Sequence, residues 1–417
     1  MNMSKTRLIS QETIGLLVII AVGLIIRGVV ISVFSHAPES DELAYHSMAL
    51  NLITGNGIVD SMGNHAMYNV GYPLFILAPL FTLFGEDILI VRFVHGVLGG
   101  LSIVLCYAIA KEAGAGKTGR LLAAAMWAFY LPASIYTVYL NKEILMIPLM
   151  LGVIWCALRL AKEPTTLTAI VCGVLFGLLA LTGNSALSLA APVILVLVFT
   201  SANLARKVSL FLVILLSAVL IATPWVIRNI QVLGAPLLNT NSGINLYLGN
   251  NSAATGMFVS IIDTPRGPSW KELHKEGEVK ASEILKEEAM AWIKEHPSEF
   301  VTLAFKKLAY FWMPPFHKGT EQASGTETIV RILWAIQFFI LVIAAIGGVF
   351  ISRLRSRHMA ILWFSIACYT AVHMLFYVIF RYRLPIMPLV CVLAAFSVEY
   401  LILRWKSTPL HSKVVIP

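Results

Sequence analysis

The chain has 417 residues, of which 58% are hydrophobic and 13% charged, and its mean hydropathy is +0.81. A soluble domain of this length cannot bury so much apolar surface, so the composition indicates a polytopic membrane protein. The net charge is +9, but the bases lie mainly in short stretches between apolar runs, which is typical of cytoplasmic loops and argues against nucleic-acid binding. All five cysteines fall inside apolar runs without the spacing of a disulfide frame or a zinc site, so we expect small buried hydrophobes.

Ten apolar runs are expected to cross the membrane as helices, because a crossing takes roughly 20 residues. In chain order they cover 14–34, 88–110, 121–139, 144–160, 167–181, 187–200, 209–228, 329–351, 360–380 and 384–403. The first is too long for a signal peptide and lacks the small residues of a cleavage site, so it counts as a span. The fifth and sixth are short, which predicts a tight hairpin near 183–185.

The distribution of basic residues predicts the topology. Lys5 and Arg7 place the N-terminus in the cytoplasm. Alternation then places five basic stretches inside, namely 111–120, 159–163, 206–207, 353–357 and 404–406. The opposite face receives 35–87, the turns 139–143 and 183–185, the long segment 229–328, and the pair Arg381 and Arg383. Two arginines on the outer face break the positive-inside rule, and binding of an anion is the simplest reason for them.

The two long outer segments are expected to contain helices. The first outer loop, 35–87, begins with a predicted surface-lying helix over 41–54, whose apolar residues recur at helical spacing. The outer-face segment, 229–328, contains a predicted helix over 269–296, rich in Glu and Lys. The stretch 300–313 is expected to lie on the surface or re-enter, since a crossing would reverse every later loop. We expect one membrane domain over 1–417, with no soluble domain at the C-terminal end.

Carboxylates stand at the predicted outer boundary of two spans. Asp41 and Glu42 follow the first run, and Ser40 before them is suited to cap a helix whose first turn favours acids. Alternatively, a carboxylate at the water–lipid boundary is a general base whose basicity is tuned by partial desolvation. Both interpretations are compatible. Glu143 opens the fourth run on the same face, and it is again either a helix-start residue or part of a polar cavity.

Four arginines are expected on the same face as these acids: Arg92, Arg228, Arg381 and Arg383. Each taken alone is explained by snorkelling towards the lipid headgroups. Together, facing several acids, they predict a phosphate site. The stretch 239–251 is dense in Asn and Gly, which suits either sugar hydroxyls or ordinary turns.

Two other patterns in the sequence do not support a site. Residues 114–118 read Gly-Ala-Gly-Lys-Thr, but the first glycine of a phosphate loop is replaced by Lys111 and no strand precedes it. His36, His46 and His65 share the first outer loop without metal-ligand spacing. We therefore expect no metal and no cofactor, with a divalent metal in this loop as the alternative.

Four stretches spread over nearly the whole chain carry a resemblance to a known family. They are Asp41-Glu42-x-x-Tyr45 with Gly71-Tyr72-Pro73; Asn141-Lys-Glu143; Pro224-Trp225-x-x-Arg228-Asn229 leading into Gly243-x-Asn245-Leu-x-x-Gly249-Asn250-Asn251; and Arg381-Tyr382-Arg383-Leu-Pro385-x-x-Pro388. With these stretches the chain resembles the polytopic GT-C glycosyltransferases of the dolichyl-phosphate-mannose-protein mannosyltransferase type, including their bacterial relatives.

The resemblance implies an all-α bundle of about 10–12 transmembrane helices, with amphipathic helices in the first outer loop and a small helical outer-face segment. It implies that Asp41 is the catalytic base, with Glu42 beside it, and that Glu143 shapes the site. The implied donor-phosphate ligands are Arg92, Arg228, Arg381 and Arg383. The implied sugar or acceptor ligands are Tyr45, Tyr72, Asn245 and Asn250.

The implied reaction is an inverting sugar transfer from a polyprenyl-phosphate donor. The acceptor is a lipid, a cell-envelope glycan or a protein, and the site lies on the outer face of the cytoplasmic (inner) membrane, without a nucleotide. One alternative is a flippase or transporter of lipid-linked glycans, which predicts mid-membrane charges and internal repeats. Another is an O-antigen ligase or polymerase, which would not need an acidic pair after the first span.

Overall fold

The computed structural model describes residues 10–34, 36–314, 325–351 and 356–407, and this part of the chain is built from helices. Its α-helices, α1 to α17 in chain order, are Gln11–Val33, Asp41–Ile53, Ala78–Phe84, Ile88–Glu112, Lys117–Ala128, Leu131–Ile135, Glu143–Lys162, Thr166–Thr182, Ala190–Phe199, Leu204–Leu233, Asn241–Gly249, Trp270–Lys275, Glu278–Glu295, Pro297–Trp312, Gly325–Val349, Arg357–Leu375 and Met387–Ser407. Within these ranges, β pairing is limited to a single bridge between Met257 and Val378.

Seven helices in the described ranges are long and apolar enough to cross a membrane, and a bent pair makes an eighth. The seven are α1, α4, α7, α10, Glu327–Val349 within α15, α16, and Phe380–Ser407, in which a 3₁₀ turn leads into α17. The helices α8 and Asn184–Phe199 are apolar but shorter, and they form the predicted hairpin around Gly183. All ten predicted runs coincide with these helices, so the fold class is confirmed.

The third span differs from the prediction of one continuous helix over 121–139. Its two halves, α5 and Leu131–Val138, meet at an angle of 56°. Pro132 lacks the amide hydrogen that a continuous helix needs. The free groups at the break are satisfied by Gln337 of α15, which accepts from the Leu131 amide at 2.9 Å and donates to the Phe129 carbonyl at 3.0 Å.

Helix α7 lies at the centre of the bundle. In its most apolar stretch 83% of the residues are buried, against 17% in α1 and in α10. It packs against α4, α8 and α9, so that it is shielded from lipid on several sides. A side chain at the first residue of α7, Glu143, is therefore held by a fully packed element.

The basic loops gather at the end of the bundle opposite Glu143. There Glu112 at the end of α4 pairs with Arg159 at 3.4 Å and with Lys162 at 3.0 Å. At the same end Glu399 of α17 accepts from the amides of Gly116 and Gly119 at 2.9 and 2.8 Å. A carboxylate thus occupies the amides at the start of α5, where the sequence only resembles a phosphate loop. Lys5, Arg7, Arg353 and Arg355 lie outside the described residues.

The outer segments are helical, with two departures from the predicted bounds. Helix α2 begins at Asp41 as expected, but Ser40 makes no side-chain capping hydrogen bond and has φ 50°, so the expected serine cap is wrong. The predicted helix over 269–296 is interrupted between α12 and α13, because Gly277 adopts φ 104°, a left-handed conformation that glycine tolerates.

Helix α14 covers most of the stretch 300–313, which was expected to lie on the surface or re-enter. Its 16 residues span about 24 Å, less than the roughly 30 Å hydrocarbon core. It buries Leu303, Lys307 and Phe311, which recur at the spacing of one helix face, and it packs on α16. It is not among the helices long and apolar enough to span, in keeping with a surface-lying or re-entrant position.

Candidate active site

One arginine joins two acids at the end of the bundle opposite the basic loops. The Arg381 Nη2 donates a hydrogen bond to the Asp41 Oδ2, and its Nε lies 3.6 Å from the Glu143 Oε1. The Glu143 carboxylate is buried, and its Oε2 has no hydrogen-bond partner among the described residues. The structure therefore brings together three residues that the sequence placed only on a common face.

Short breaks in the helices position these three side chains. Asp41 is the first residue of α2, and Glu143 is the first residue of α7. Arg381 lies in the 3₁₀ turn Phe380–Ile386, which precedes α17. Acids at helix starts are stabilised by the positive end of the helix dipole. The positions of Asp41 and Glu143 are compatible both with a stabilising role at a helix start and with a role in a site.

A cavity of about 370 Å³, with a wall that is mostly apolar, opens beside Glu143. Amides and hydroxyls dominate its polar lining, which comes from six separate segments of the chain. The polar and aromatic residues that line it are Asn69, Lys142, Glu143, Asn184, Ser185, Asn241, Ser242, Asn245, Tyr369, His373, Phe376, Tyr377 and Tyr382. Convergent amides and hydroxyls in a concave site are suited to fix the orientation of a polar ligand such as a sugar.

A chain of hydrogen bonds runs along one wall of this cavity. The Lys142 ammonium donates to the Asn69 Oδ1 at 3.3 Å, and the Asn69 amide nitrogen donates to the Asn184 Oδ1 at 3.0 Å. Burial lowers the pKa of Lys142, whereas the adjacent Glu143 carboxylate raises it. On the other side the Tyr382 hydroxyl donates to the Tyr377 hydroxyl at 3.3 Å. Both walls therefore present donors and acceptors in fixed positions.

Glu42 does not face the cavity. Its Oε2 accepts from the Leu140 amide at 2.8 Å, and its Oε1 contacts the His36 Nε2 at 2.7 Å. With 4% of its surface exposed, the side chain is fully engaged. Glu42 thus ties the first turn of α2, which carries Asp41, to the segment that leads into Glu143.

Three of the four predicted phosphate-binding arginines are engaged elsewhere. Arg92, Arg228 and Arg383 donate to main-chain carbonyls at 2.5–2.9 Å. The acceptors are Val138 and His36 for Arg92, Ile58 and His65 for Arg228, and Phe311 and Met313 for Arg383. Aromatic rings also cover two of them: Arg228 lies 4.8 Å over Trp225 and Arg383 lies 4.4 Å over Phe338. These arginines tie loops to the bundle, and Arg381 is the one that faces the acids.

The predicted sugar or acceptor ligands divide in the same way. Tyr45 and Tyr72 are buried edge to face at 5.5 Å, and the Tyr72 hydroxyl bonds the His95 Nε2 at 2.9 Å. Asn250 is also buried, and its side chain donates to the carbonyl of Leu375 and accepts from Lys307. These three stabilise the walls around the site.

Of these predicted ligands, only Asn245 lines the cavity, together with Asn241 and Ser242 of the same helix, α11. Gly243 lies between them on α11 and faces α13. An added Cβ at Gly243 would stand 1.9 Å from the Ser282 carbonyl oxygen, so α11 and α13 are in close backbone contact.

Several cavity residues were not singled out from the sequence as site residues. Lys142 lies within the quoted Asn141-Lys-Glu143 stretch, and Asn184 lies in the predicted hairpin turn 183–185. Asn69 carried no signal, because a single amide in a loop is common. The polar character of the 183–185 turn, at the outer end of two apolar helices, was the available indication.

The three histidines of the first outer loop make separate contacts. His36 pairs with Glu42, His46 with Glu86 at 2.9 Å, and His65 contacts Arg228. Among the described residues no group of three His, Cys, Asp or Glu side chains is arranged to hold a metal ion.

One family model matches part of this chain. Residues 72–227 match the family model of the dolichyl-phosphate-mannose-protein mannosyltransferases. That region contains Arg92 and Glu143 and ends one residue before Arg228. No curated protein matches the sequence.

Solved structures share the fold at low sequence identity. The archaeal oligosaccharyltransferase AglB from Archaeoglobus fulgidus, in complex with an inhibitory peptide and a dolichol-phosphate, is 13% identical, with a TM-score of 0.54 over 97% of this chain and 52% of that chain. An Archaeoglobus fulgidus oligosaccharyltransferase tethered to an acceptor peptide is 14% identical, with a TM-score of 0.56 over 94% and 50%. ArnT from Cupriavidus metallidurans, bound to undecaprenyl phosphate, is 13% identical, with a TM-score of 0.45 over 96% and 81%. This chain spans about half the length of the archaeal chains. The expected resemblance to GT-C glycosyltransferases is confirmed, and the fold is of the GT-C type.

Proposed function

We propose that this protein transfers a sugar from a polyprenyl-phosphate donor to an acceptor at the outer face of the cytoplasmic membrane. The sugar occupies the amide-lined cavity beside Glu143, and Asp41 is the base. The observation that carries the proposal is the contact of Arg381 with both Asp41 and Glu143 at the edge of that cavity. It combines a cation for a phosphate, an acid to take a proton and a site for a sugar.

The reaction is a single displacement at the C1 of the donor sugar. Asp41 takes the proton of the acceptor nucleophile, the acceptor forms the new bond to C1, and the bond from C1 to the phosphate oxygen breaks. The polyprenyl phosphate departs with the electron pair, and the configuration at C1 inverts. Arg381 stabilises the negative charge that develops on the phosphate, which is the kind of contribution that is often largest in catalysis.

Before the polyprenyl-phosphate donor binds, Arg381 is in contact with Asp41. A carboxylate oxygen that accepts from a guanidinium is engaged, and it becomes available as a base when the guanidinium turns to the phosphate. Phosphates bind arginine through charge-assisted hydrogen bonds as strong as those of carboxylates. Arrival of the donor therefore prepares Asp41 for the acceptor.

Two features support the outer face as the location. The basic ends of α4, α5 and α7 lie together at one end of the bundle, and Asp41, Glu143 and Arg381 lie at the other. Basic loops remain in the cytoplasm. A cation at the other end is then in place to meet a lipid phosphate that has been presented outside.

The test is transfer by Asp41→Asn in proteoliposomes supplied with radiolabelled polyprenyl-phosphate monosaccharides and a cell-envelope fraction as the acceptor source. We expect release of polyprenyl phosphate to fall by at least about a hundredfold, in the range typical for loss of a general base. Asp263→Asn removes an exposed acid of the outer-face segment and is the matched control. Unchanged transfer by a well-folded Asp41→Asn protein contradicts the proposal, and movement of the intact lipid without any new glycosidic bond indicates a flippase.

A further inference from the structure

We propose that Lys142 is a second ligand for the phosphate of the polyprenyl-phosphate donor, acting together with Arg381. The inference rests on the proposed function. Arg92, Arg228 and Arg383, which were predicted to bind this phosphate, bind main-chain carbonyls, whereas Lys142 faces the cavity. Lys142 precedes Glu143 in the chain and lines the cavity beside it. Among the described lining residues it is the one lysine or arginine.

The contacts of Lys142 leave most of its hydrogen-bonding capacity unused. An ammonium has three donors, and the contact found for this one is with the Asn69 Oδ1 at 3.3 Å, which is longer than a normal charge-assisted bond. The side chain is half-buried, so water satisfies it less well than at the surface. A ligand oxygen inside the cavity would supply the missing acceptors.

Local stability does not account for a lysine at this position. Lys142 is the N-cap residue of α7, where the positive end of the helix dipole disfavours a cation. The side chain also makes no capping hydrogen bond. An anion placed at this helix start would interact favourably with both the dipole and the ammonium.

The position of Glu143 relates Lys142 to Arg381. The Cα atoms of Lys142 and Glu143 are about 3.8 Å apart as chain neighbours, and the Arg381 Nε lies 3.6 Å from the Glu143 carboxylate. Lys142 is thus next to Glu143 along the chain, and Arg381 contacts Glu143 through space. A phosphate has several oxygens, so one can bind the Lys142 ammonium while another binds the Arg381 guanidinium.

An acidic sugar would offer the same anionic chemistry through its carboxylate. A probe that contains the phosphate without the sugar distinguishes binding of the lipid phosphate from binding of a sugar carboxylate. Farnesyl phosphate is such a probe, and farnesol, which has the same chain without the charge, is its control. Binding is measured for the purified full-length protein in detergent by isothermal titration calorimetry.

We expect Lys142→Met to weaken farnesyl phosphate binding by roughly tenfold or more, as for loss of a charged hydrogen-bond donor. Farnesol binding stays unchanged, and Lys142→Arg restores most of the affinity. Lys306→Met, at an exposed lysine of α14, is the matched control and binds as the wild type does. Asn69→Ala removes the wall partner while keeping the ammonium, and we expect it to retain the affinity.

The outcomes separate this inference from the proposed function. If the wild type binds farnesyl phosphate and Lys142→Met binds it equally well, the assignment of Lys142 is wrong while the proposed function stands. If Lys142→Met weakens binding only for donors with an acidic sugar, the ammonium binds the sugar carboxylate and the assignment to the phosphate is again wrong. If Asn69→Ala weakens binding as much as Lys142→Met, Lys142 only supports the wall. If the wild type neither binds the phosphate nor transfers sugar, the proposed function itself fails.

Discussion

Arg381 donates a hydrogen bond to Asp41 although 340 positions separate them in the chain. The two side chains keep exposed fractions of 22% and 26%, whereas that of Glu143 is 4%. The guanidinium therefore lies between an accessible acid and a buried one. A phosphate that enters from the water side competes with Asp41 for Arg381 while the contact with Glu143 persists.

This competition predicts that Asp41→Asn binds a polyprenyl phosphate more tightly than the wild type, although it cannot catalyse transfer. Loss of the carboxylate charge frees Arg381 for the phosphate, and we expect the Kd of farnesyl phosphate to fall several-fold, on the scale of one charged hydrogen bond. Calorimetry in detergent measures the change. Asp263→Asn, in the outer-face segment, controls for the loss of one negative charge. An affinity of Asp41→Asn equal to or weaker than that of the wild type would contradict the competition.

Glu42 is predicted to position the site rather than to react. Glu42→Ala leaves the Leu140 amide without its acceptor, which costs about 1–3 kcal/mol of stability and loosens α2 against the segment before Glu143. Glu42→Gln keeps an acceptor for that amide and should retain most of the thermal stability and a measurable kcat. Unfolding temperatures and kcat for both variants test this expectation. A complete loss of kcat in a stable Glu42→Gln protein would indicate a direct chemical role.

Lys307 makes stability depend on pH in the alkaline range. Burial lowers its pKa from 10.5 to about 8, so between these values the folded protein binds fewer protons than the unfolded chain. Stability from this group therefore rises as the pH increases from about 8 to 10.5, by up to about 3 kcal/mol. Lys307→Met should remove this rise, whereas the exposed neighbour variant Lys306→Met should keep it. Chemical unfolding at several pH values measures the difference, and an identical slope in Lys307→Met would refute the burial of a titrating amine.

Glu399 and Gly119 are predicted to be energetically coupled at the end of the bundle opposite the site. A Cβ at Gly119 would stand 2.4 Å from the Glu399 Oε2, so Gly119→Ala displaces the carboxylate that caps α5. We expect Gly119→Ala and Glu399→Ala each to destabilise the protein by about 1–3 kcal/mol, and the double variant to lose less than the sum. Thermal unfolding of the four proteins forms the cycle. Because the site is at the other end, donor KM should be unaffected, and strict additivity would show that the two residues act independently.

The apolar helices and the common end of the bundle at which the acids lie were predictable from the sequence, because the length and hydropathy of a span follow from the bilayer itself. Asp41, Glu143 and Arg381 were all placed at that end by counting spans. Which arginine meets the acids was not predictable, since an arginine at a helix end binds equally well to main-chain carbonyls. Arg92, Arg228 and Arg383 do so, and these contacts join segments far apart in the chain.

Local detail was limited by conformations that composition does not specify. Ser40 has the residue type of a cap, yet its backbone has φ 50° and its hydroxyl does not reach the amides of α2. The break between α12 and α13 depends on a single glycine in a stretch otherwise favourable to helix. The backbone groups freed at the bend in the third span are satisfied by Gln337, which belongs to a helix some two hundred residues away in the chain.

The close approach of Gly243 to Ser282 has a consequence for how this protein diversifies. Asn241, Ser242 and Asn245 form one side of the cavity, and their distance from the opposite side depends on how closely α11 rests on α13. Helix α13 is rich in charged residues and is not among the candidate spans. Substitutions at Ser282 of this helix can therefore change the width of the cavity from outside the predicted membrane spans. The size of the ligand that the cavity accepts can thus change through residues that do not line the cavity.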